Sequence, residues 1–268
     1  MQVPTCLRAG DGTDALVLLH GIGGRGEVWR PQMEAFADRY TVVAWNVPGY
    51  AGSPPVSQLT FLVLAEALTL LLDTLPNKRI HLVGHSMGGM VAQEFLRTRA
   101  DRITSVVLYA TSPGLAQPET PEAAVAAKAR AEEFMRRRIG PIDAGMTMRQ
   151  MAESMLDQLL TAHAPQSAKT AAIESVSAVP PEVYRDAMRC ILSFDGTKIV
   201  PLIDKPTLAI AGAQDVTIPP AAVEAMARQI RGARCVTIPN VGHLANIEDP
   251  PAFNRVLLDF LETVSRSG

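Results

Sequence analysis

Short apolar runs recur along the chain, and amphipathic segments lie between them. Each run is continuous rather than alternating, which is typical of parallel strands that are buried on both faces. Repeated alternation of such strands with helices predicts an α/β fold with a doubly wound, mostly parallel sheet. Residues before Asp14 leave room only for a short antiparallel edge strand. The runs cover residues 15–19, 41–44, 80–83, 103–110, 207–212 and 234–238.

The alternation stops after residue 111, and the pattern from 112 to 198 predicts helices only. Breaks that contain proline or glycine, such as Gly140-Pro141, separate these helices. We therefore divide the chain into an α/β core, residues 1–111 and 199–268, and an inserted all-helical cap, residues 112–198. Such a cap would close a site at the carboxyl ends of the strands. The predicted cap helices cover 121–138, 147–162, 166–178 and 182–193.

One serine stands between glycines at the point where a predicted strand becomes a predicted helix. The sequence there is Gly84-His85-Ser86-Met87-Gly88, and the segment after it has no helix breaker. Strand, sharp turn and helix in this order form a nucleophile elbow, in which the serine Oγ is held above the sheet. A glycine-rich turn with an incidental serine has the same residues. The other candidate residues favour the elbow.

A glycine-rich loop, residues 20–24, follows the first apolar run. An oxyanion that forms beside Ser86 needs backbone N–H donors aimed at it. We predict that Met87, at the start of the helix, supplies one donor and that Ile22, directly after His20-Gly21, supplies the other. The positive end of the helix dipole adds to this stabilisation.

The order of the remaining candidates completes a catalytic triad. Asp215 follows the fifth apolar run and His243 lies in the loop after the last one, so both are at carboxyl ends of strands. The order Ser86, Asp215, His243 is that of hydrolases with a nucleophile elbow. Two competing carboxylates, Asp195 and Asp204, precede the strand rather than follow it. We therefore expect Ser86 to be the nucleophile, His243 the base and Asp215 the acid that orients it.

The charge of the chain favours a small neutral or weakly charged molecule as its partner. A formal net charge of −2 and a pI near 6.2 give no reason to expect nucleic acid or an anionic membrane surface as a partner.

The first residues lack a basic segment followed by an apolar stretch, so we expect a cytoplasmic protein. The cysteines are far apart and not in metal-ligand spacing, and we expect neither a metal nor a cofactor. The number of subunits stays open. The cysteines are Cys6, Cys190 and Cys235.

From about residue 15 to residue 261 the chain resembles the α/β-hydrolase fold family, in its group with helical caps. The elbow, the His20-Gly21 loop, Asp215 and Gly242-His243 carry this resemblance. The segment from 230 to 253 is most similar to the 3-oxoadipate enol-lactonase and carboxylesterase branch. The resemblance implies hydrolysis of a small carboxylic ester or lactone through an acyl-enzyme intermediate.

Two other functions stay open at this point, and so does perhydrolysis as a side activity, since cofactor-free perhydrolases share the triad. Carbon–carbon hydrolases of aromatic ring-cleavage products are also similar to the chain, but they usually carry asparagine before the nucleophile and tryptophan after the histidine. This chain has His85 and Leu244 at those positions. A protein of this fold can also bind a small molecule without converting it. Binding-only members commonly lose a triad residue or the oxyanion loop, and this chain retains them all.

The cap contains further candidates for the walls of a pocket. Six of the eleven methionines lie in it, which would suit an adaptable apolar roof, although methionines at helical spacing are more often ordinary core. The run Arg136-Arg137-Arg138 is interpreted as a solvated helix end. Exposed arginines on cap helices are the commoner case, but some could contact a substrate carboxylate. The arginines considered for this contact are Arg130, Arg149, Arg185 and Arg189.

Overall fold

A seven-stranded sheet forms the centre of the molecule. The structure is a computed structural model and describes residues 1–76, 79–114 and 120–267. Across the sheet the strand order is β1-β3-β2-β4-β5-β6-β7; β1 pairs antiparallel with β3, and the other pairs are parallel. The predicted fold class is confirmed, and the short antiparallel edge is β1. The strands are β1 (Cys6–Ala9), β2 (Asp14–Leu19), β3 (Thr41–Trp45), β4 (Arg79–His85), β5 (Ser105–Tyr109), β6 (Thr207–Gly212) and β7 (Arg234–Ile238).

Helices surround this sheet. Within the described residues, none of them combines the length and the apolar character needed to cross a membrane. Short 3-10 helices cover Gly26–Trp29, Ala100–Arg102 and Val200–Leu202. The α-helices are α1 (Arg30–Phe36), α2 (Phe61–Leu72), α3 (Met87–Arg99), α4 (Pro121–Asp143), α5 (Met148–Ser154), α6 (Leu156–Leu159), α7 (Gln166–Ser177), α8 (Pro181–Leu192), α9 (Pro220–Ala227), α10 (Ala245–Glu248) and α11 (Pro250–Ser267).

The central strands are buried on both faces, which explains their continuous apolar sequences. In β2, Ala15, Val17 and Leu19 belong to the apolar core shared with α2 and α3. Leu16 and Leu18 belong to the core on the other face, shared with α1 and α11. Because successive side chains of a strand point to opposite faces, a strand between two helical layers needs apolar residues at every position.

The first cap helix is longer than predicted. Helix α4 continues through Gly140-Pro141 and ends at Asp143, so the predicted break at that pair is wrong. Proline removes one helical hydrogen bond. That loss falls in the last turn of α4, where the Ala144 N–H still donates to the Gly140 carbonyl at 2.9 Å.

The second predicted cap helix is in fact two helices, α5 and α6, and it ends early. The Leu159 carbonyl accepts a hydrogen bond from the Leu244 N–H at 3.1 Å, and the Thr161 N–H donates to Glu248 Oε1 at 2.9 Å. Leu160, between them, has an extended backbone. Because the core binds these backbone groups, they are not available for a further helical turn.

The five helices α4 to α8 lie between β5 and β6 in the chain. In the described part of residues 112–198 the β-structure is limited to an isolated bridge between Gly114 and Asp195. The division into a core of residues 1–111 and 199–268 and a cap of residues 112–198 stays a prediction. We call α4 to α8 the cap helices.

Candidate active site

Ser86 occupies a sharp turn between β4 and α3. Its φ of 52° and ψ of −117° are rare for a residue other than glycine and cost about 1–3 kcal/mol. Neighbouring groups hold the turn from two sides. The Ser86 N–H donates to the Tyr109 carbonyl at 2.9 Å, and the Thr111 hydroxyl donates to the Ser86 carbonyl at 2.8 Å. The turn places Ser86 at the wall of a cavity.

Glycines let the strand and the helix approach each other closely at this turn. A Cβ atom at Gly84 would lie 2.5 Å from the Gly88 carbonyl oxygen. A Cβ atom at Gly88 would lie 2.4 Å from the Leu19 carbonyl oxygen. Both obstacles are backbone atoms, which cannot rotate aside as a flexible side chain can. The elbow therefore requires glycine at both positions.

The loop after β2 packs directly against Ser86. A Cβ atom at Gly21 would lie 2.9 Å from Ser86 Cβ. Ile22, the next residue, lines the same cavity as Ser86, and Met87 is the first residue of α3. The described residues provide no hydrogen-bond partner for the Ile22 or the Met87 amide N–H. Two unpaired backbone donors are therefore present around Ser86.

His20 holds the conformation of this loop. Its Nδ1–H donates to the Gly21 carbonyl at 2.8 Å, and its Nε2 accepts from the Val47 N–H at 3.1 Å. This tautomer follows because a backbone N–H can only donate. Burial lowers the pKa of His20 to about 4, against a smaller opposite effect of the Gly21 hydrogen bond. His20 is therefore neutral at neutral pH and acts as a structural support.

We expect the free energy of unfolding to decrease as the pH falls from about 6.5 to 4, in part because of His20. An unfolded histidine takes up a proton near pH 6.5, whereas buried His20 does so only near pH 4. Within this window the unfolded chain binds more protons, so acid removes about 3 kcal/mol of stability through His20 alone. Burial also lowers the pKa of His81 and of His85, and both residues therefore add to the loss of stability in acid.

Thermal melts of the wild type and of His20→Gln across this pH range measure the effect. The variant is expected to be less stable at neutral pH but to lose less stability on acidification. Equal acid-dependent losses in the two proteins would contradict the role given to His20.

Asp215 and His243 meet where the adjacent strands β6 and β7 end. The His243 Nδ1–H donates to Asp215 Oδ2 at 2.7 Å, and both residues are 3% exposed. The other carboxylate oxygen, Oδ1, accepts from the Thr217 N–H at 2.8 Å and the Ile218 N–H at 2.9 Å. The carboxylate thus fixes the histidine tautomer that leaves Nε2 unprotonated. That nitrogen is the one able to accept a proton.

The structure brings Ser86, Asp215 and His243 to one place. Ser86 and His243 line the same cavity, although the described contacts include no hydrogen bond between Ser86 Oγ and the His243 ring. The two competing carboxylates lie elsewhere. Asp204 is exposed before β6, and Asp195 accepts a hydrogen bond from the nearby Thr197 N–H at 3.0 Å.

Two side chains without an assigned role in the sequence analysis hold the backbone of His243. The Tyr109 hydroxyl donates to the His243 carbonyl at 2.8 Å, and His85 Nε2–H donates to the same oxygen at 3.1 Å. Burial, together with the neighbouring His243, keeps the pKa of His85 well below its ordinary value. His85 is therefore a neutral donor. A tyrosine in an apolar strand looks like ordinary core in a sequence, so no signal indicated Tyr109.

Two further contacts tie the segment at the end of α6 to the loops that carry Asp215 and His243. Glu248 Oε1 accepts from the Thr161 N–H and also bonds the Thr161 hydroxyl, while Oε2 accepts from the Gly242 N–H at 2.8 Å. Thr217 donates its hydroxyl to the Gln158 carbonyl at 2.9 Å. No local sequence pattern indicates these contacts, because they join residues far apart in the chain.

A mostly apolar cavity of about 200 Å³ lies between these groups and the cap helices. Of the cap methionines, Met155 and Met188 line it, whereas Met148 and Met151 are buried in the core. The size of the cavity suits a small molecule. Its wall on the core side includes Ile22, Ser86 and His243, and its cap side includes Phe134, Met155, Leu159, Val176, Tyr184 and Met188.

Arg138, on α4, lines this cavity, so the interpretation of the whole run 136–138 as a solvated helix end is wrong. Arg136 and Arg137 are exposed and pair with Glu133. Successive residues of a helix point in directions about 100° apart, so three arginines in a row cannot share one face. The four arginines considered from the sequence are not among the described residues that line the cavity. They are Arg130, Arg149, Arg185 and Arg189.

Comparison with known proteins identifies the family. A sequence model of the alpha/beta hydrolase fold matches residues 14–250. The chain belongs to the α/β-hydrolase fold family, which confirms the resemblance seen in the sequence.

Three similar proteins carry the names of hydrolases. A protein of Stutzerimonas stutzeri, assigned provisionally as the carbamate hydrolase RutD, is 27% identical over 254 residues, which are 92% of this chain and 91% of that protein. The structure of a thermophilic esterase from Thermogutta terrifontis has a TM-score of 0.79 and 28% identity, covering 97% of this chain and 93% of that one. The enol-lactonase from Burkholderia xenovorans has a TM-score of 0.79 and 26% identity, covering 96% of each chain.

Proposed function

We propose that the protein is a serine hydrolase that cleaves a small carboxylic ester or lactone through an acyl-enzyme intermediate. The observation that carries this proposal is the 2.7 Å hydrogen bond between Asp215 and His243, with His243 and Ser86 in the wall of one cavity. Ser86 is the nucleophile, His243 the general base, and Asp215 the residue that orients the base. The substrate is a small molecule that fits the cavity.

Acylation begins when Ser86 Oγ attacks the carbonyl carbon and its proton passes to His243 Nε2. The carbonyl oxygen becomes an oxyanion, which accepts hydrogen bonds from the Ile22 and Met87 amides. When the tetrahedral intermediate collapses, the bond between the carbonyl carbon and the alcohol oxygen breaks. The leaving oxygen takes the proton back from His243. In a lactone, this oxygen stays attached to the acyl chain.

Deacylation repeats these steps with water as the nucleophile. Water gives one proton to His243 Nε2 and attacks the acyl carbon, and the same two amides hold the new oxyanion. Collapse breaks the ester bond to Ser86, whose Oγ recovers the proton from His243. The product is a free carboxylic acid, and the enzyme returns to its starting state.

The similar proteins support chemistry at a carbonyl carbon. By their names, three of them act on a carbamate, an ester and an enol-lactone, each of which has a carbonyl carbon bonded to a heteroatom. Cleavage of a carbon–carbon bond would need additional polar groups beside the nucleophile and the base. Here His85 is engaged with the His243 carbonyl, and the apolar Leu244 lines the cavity. These contacts favour the ester or lactone reaction.

A substrate panel at equal concentration tests the proposal. It contains short p-nitrophenyl esters, an enol-lactone, a carbamate and a dienol diketone. An ester or the lactone is expected to be turned over faster than the diketone, because only attack by the activated serine is required. The Ser86→Ala variant serves as the blank for each substrate.

Faster turnover of the diketone than of every ester and lactone would make carbon–carbon hydrolysis the better assignment. Binding without turnover of any substrate, and without labelling by a serine-reactive phosphonate, would identify a binding protein on the same fold.

A further inference from the structure

One wall of the cavity carries a positive charge without a matching negative charge. Arg138 lines the cavity, and of the described residues that line it none has a carboxylate side chain. No ion pair with Arg138 is formed in the described part of the chain. Its neighbours Arg136 and Arg137 both pair with Glu133. The charge of Arg138 is thus the one in this run that stays free for a ligand.

An aromatic contact holds Arg138 in place. Its Cζ atom lies 5.8 Å from the centre of the Phe134 ring, one turn earlier on α4, and Phe134 lines the cavity too. This cation–π contact stabilises the guanidinium without using its N–H groups. The planar set of five N–H donors can therefore bind an acceptor in the cavity.

Tyr184, on α8, lines the same cavity and carries a hydroxyl donor. The residue is 0% exposed, and the described partner of its hydroxyl is Met155 Sγ at 3.8 Å, which is a weak acceptor. Burial raises the pKa of Tyr184 to about 12, and the Arg138 charge opposes this shift, so the two groups interact. The hydroxyl is a protonated donor at neutral pH. A buried donor with so weak a partner suits an acceptor supplied by a ligand.

We propose that Arg138 and Tyr184 bind a carboxylate of the substrate, so that the enzyme selects esters or lactones that carry a second, negatively charged group. Guanidinium and phenol donors match the two oxygens of a carboxylate. The apolar walls strengthen this attraction because they lower the local dielectric constant. A neutral substrate would leave the half-buried Arg138 guanidinium without an ionic partner in the cavity wall. The selectivity rests on the proposed esterase function, but the binding site does not.

Two esters that differ only in this charge measure the selectivity. Mono-p-nitrophenyl glutarate carries a free carboxylate, and its monoamide counterpart carries a neutral carboxamide of nearly equal size. The wild type is expected to have a kcat/KM for the anionic ester about 10- to 100-fold higher than for the amide, which is the range for a hydrogen bond to a charged group. Spontaneous hydrolysis of each ester is subtracted.

Variants then assign the preference to named side chains. Arg138→Gln is expected to reduce the ratio to about one, while Arg138→Lys, which keeps the charge without the planar donors, retains part of it. Tyr184→Phe should lower the ratio about 3- to 10-fold, since it removes one hydrogen bond. Arg137→Gln, at the exposed neighbouring position, is the matched control and leaves the ratio at the wild-type value. Thermal melts verify that each variant is folded.

A binding measurement separates this inference from the proposed function. Calorimetric titration with glutarate requires no turnover, and Arg138→Gln should weaken glutarate binding while Arg137→Gln does not. If both esters are hydrolysed through Ser86 with a ratio near one, and glutarate binding does not depend on Arg138, the carboxylate site is refuted and the esterase function stands. If no ester is hydrolysed but glutarate binding depends on Arg138, the function is refuted and the site stands.

Discussion

Replacement of Ser86 by alanine is expected to lower kcat by about four or more powers of ten, because the attacking oxygen is lost. The fold should remain, since Ser86 Oγ has no hydrogen bond among the described contacts and the turn is held through its backbone groups. Steady-state kinetics with the best substrate of the panel measure the loss. A serine-reactive phosphonate should label the wild type at Ser86 and leave the variant unlabelled.

Ser167→Ala is the matched control for this experiment. Ser167 is exposed on α7, so the same change of hydroxyl to hydrogen there should leave kcat and phosphonate labelling unaltered. Activity of Ser86→Ala close to that of the wild type, in a protein with an unaltered melting temperature, would falsify the nucleophile assignment.

The second large effect is expected for Asp215→Asn, which should reduce kcat by up to about four powers of ten. The asparagine oxygen would keep the hydrogen bonds from the Thr217 and Ile218 N–H groups. Its amide N–H would then face His243 Nδ1, where the carboxylate now accepts a hydrogen bond. His243 would have to adopt the tautomer with a proton on Nε2, and that nitrogen could no longer take the serine proton.

Asp204→Asn provides the control, because Asp204 is an exposed carboxylate before the same strand. This variant should retain wild-type kcat. The melting temperatures of both variants show whether a loss of activity is a loss of fold. A larger loss of activity in Asp204→Asn than in Asp215→Asn would mean that the wrong carboxylate has been assigned.

The strands of the sheet could be predicted from the sequence because the apolar residues that mark each strand lie next to one another in the chain. A strand between two helical layers must be apolar at every position, so β2, β4, β5 and β6 are visible as continuous runs. The elbow is visible for a similar reason. Gly84 and Gly88 each lie against a backbone atom that leaves no room for a Cβ atom. The elbow therefore needs glycine at both positions, and these glycines can be recognised in the sequence.

The ends of the cap helices could not be predicted in the same way, because distant residues decide them. The segment after α6 stops being helical where Leu244 and Glu248 bind its backbone. Those partners lie more than eighty residues later in the chain. Helix propensity and breaker residues describe only the local preference, which these contacts override.

The order of residues along the chain is enough to predict which strand each candidate residue follows: a serine in an elbow after β4, an acid after β6 and a histidine after β7. Parallel strands put their carboxyl ends at one edge of the sheet, so these residues had to lie near one another. Which side chains of the cap helices face them depends on how the helices pack in three dimensions. Arg138 lines the cavity while Arg137 does not, because the packing of α4 against its neighbours sets the rotation of the helix. A helical pattern shows which residues share a face of the helix. What that face packs against depends on contacts between distant parts of the chain.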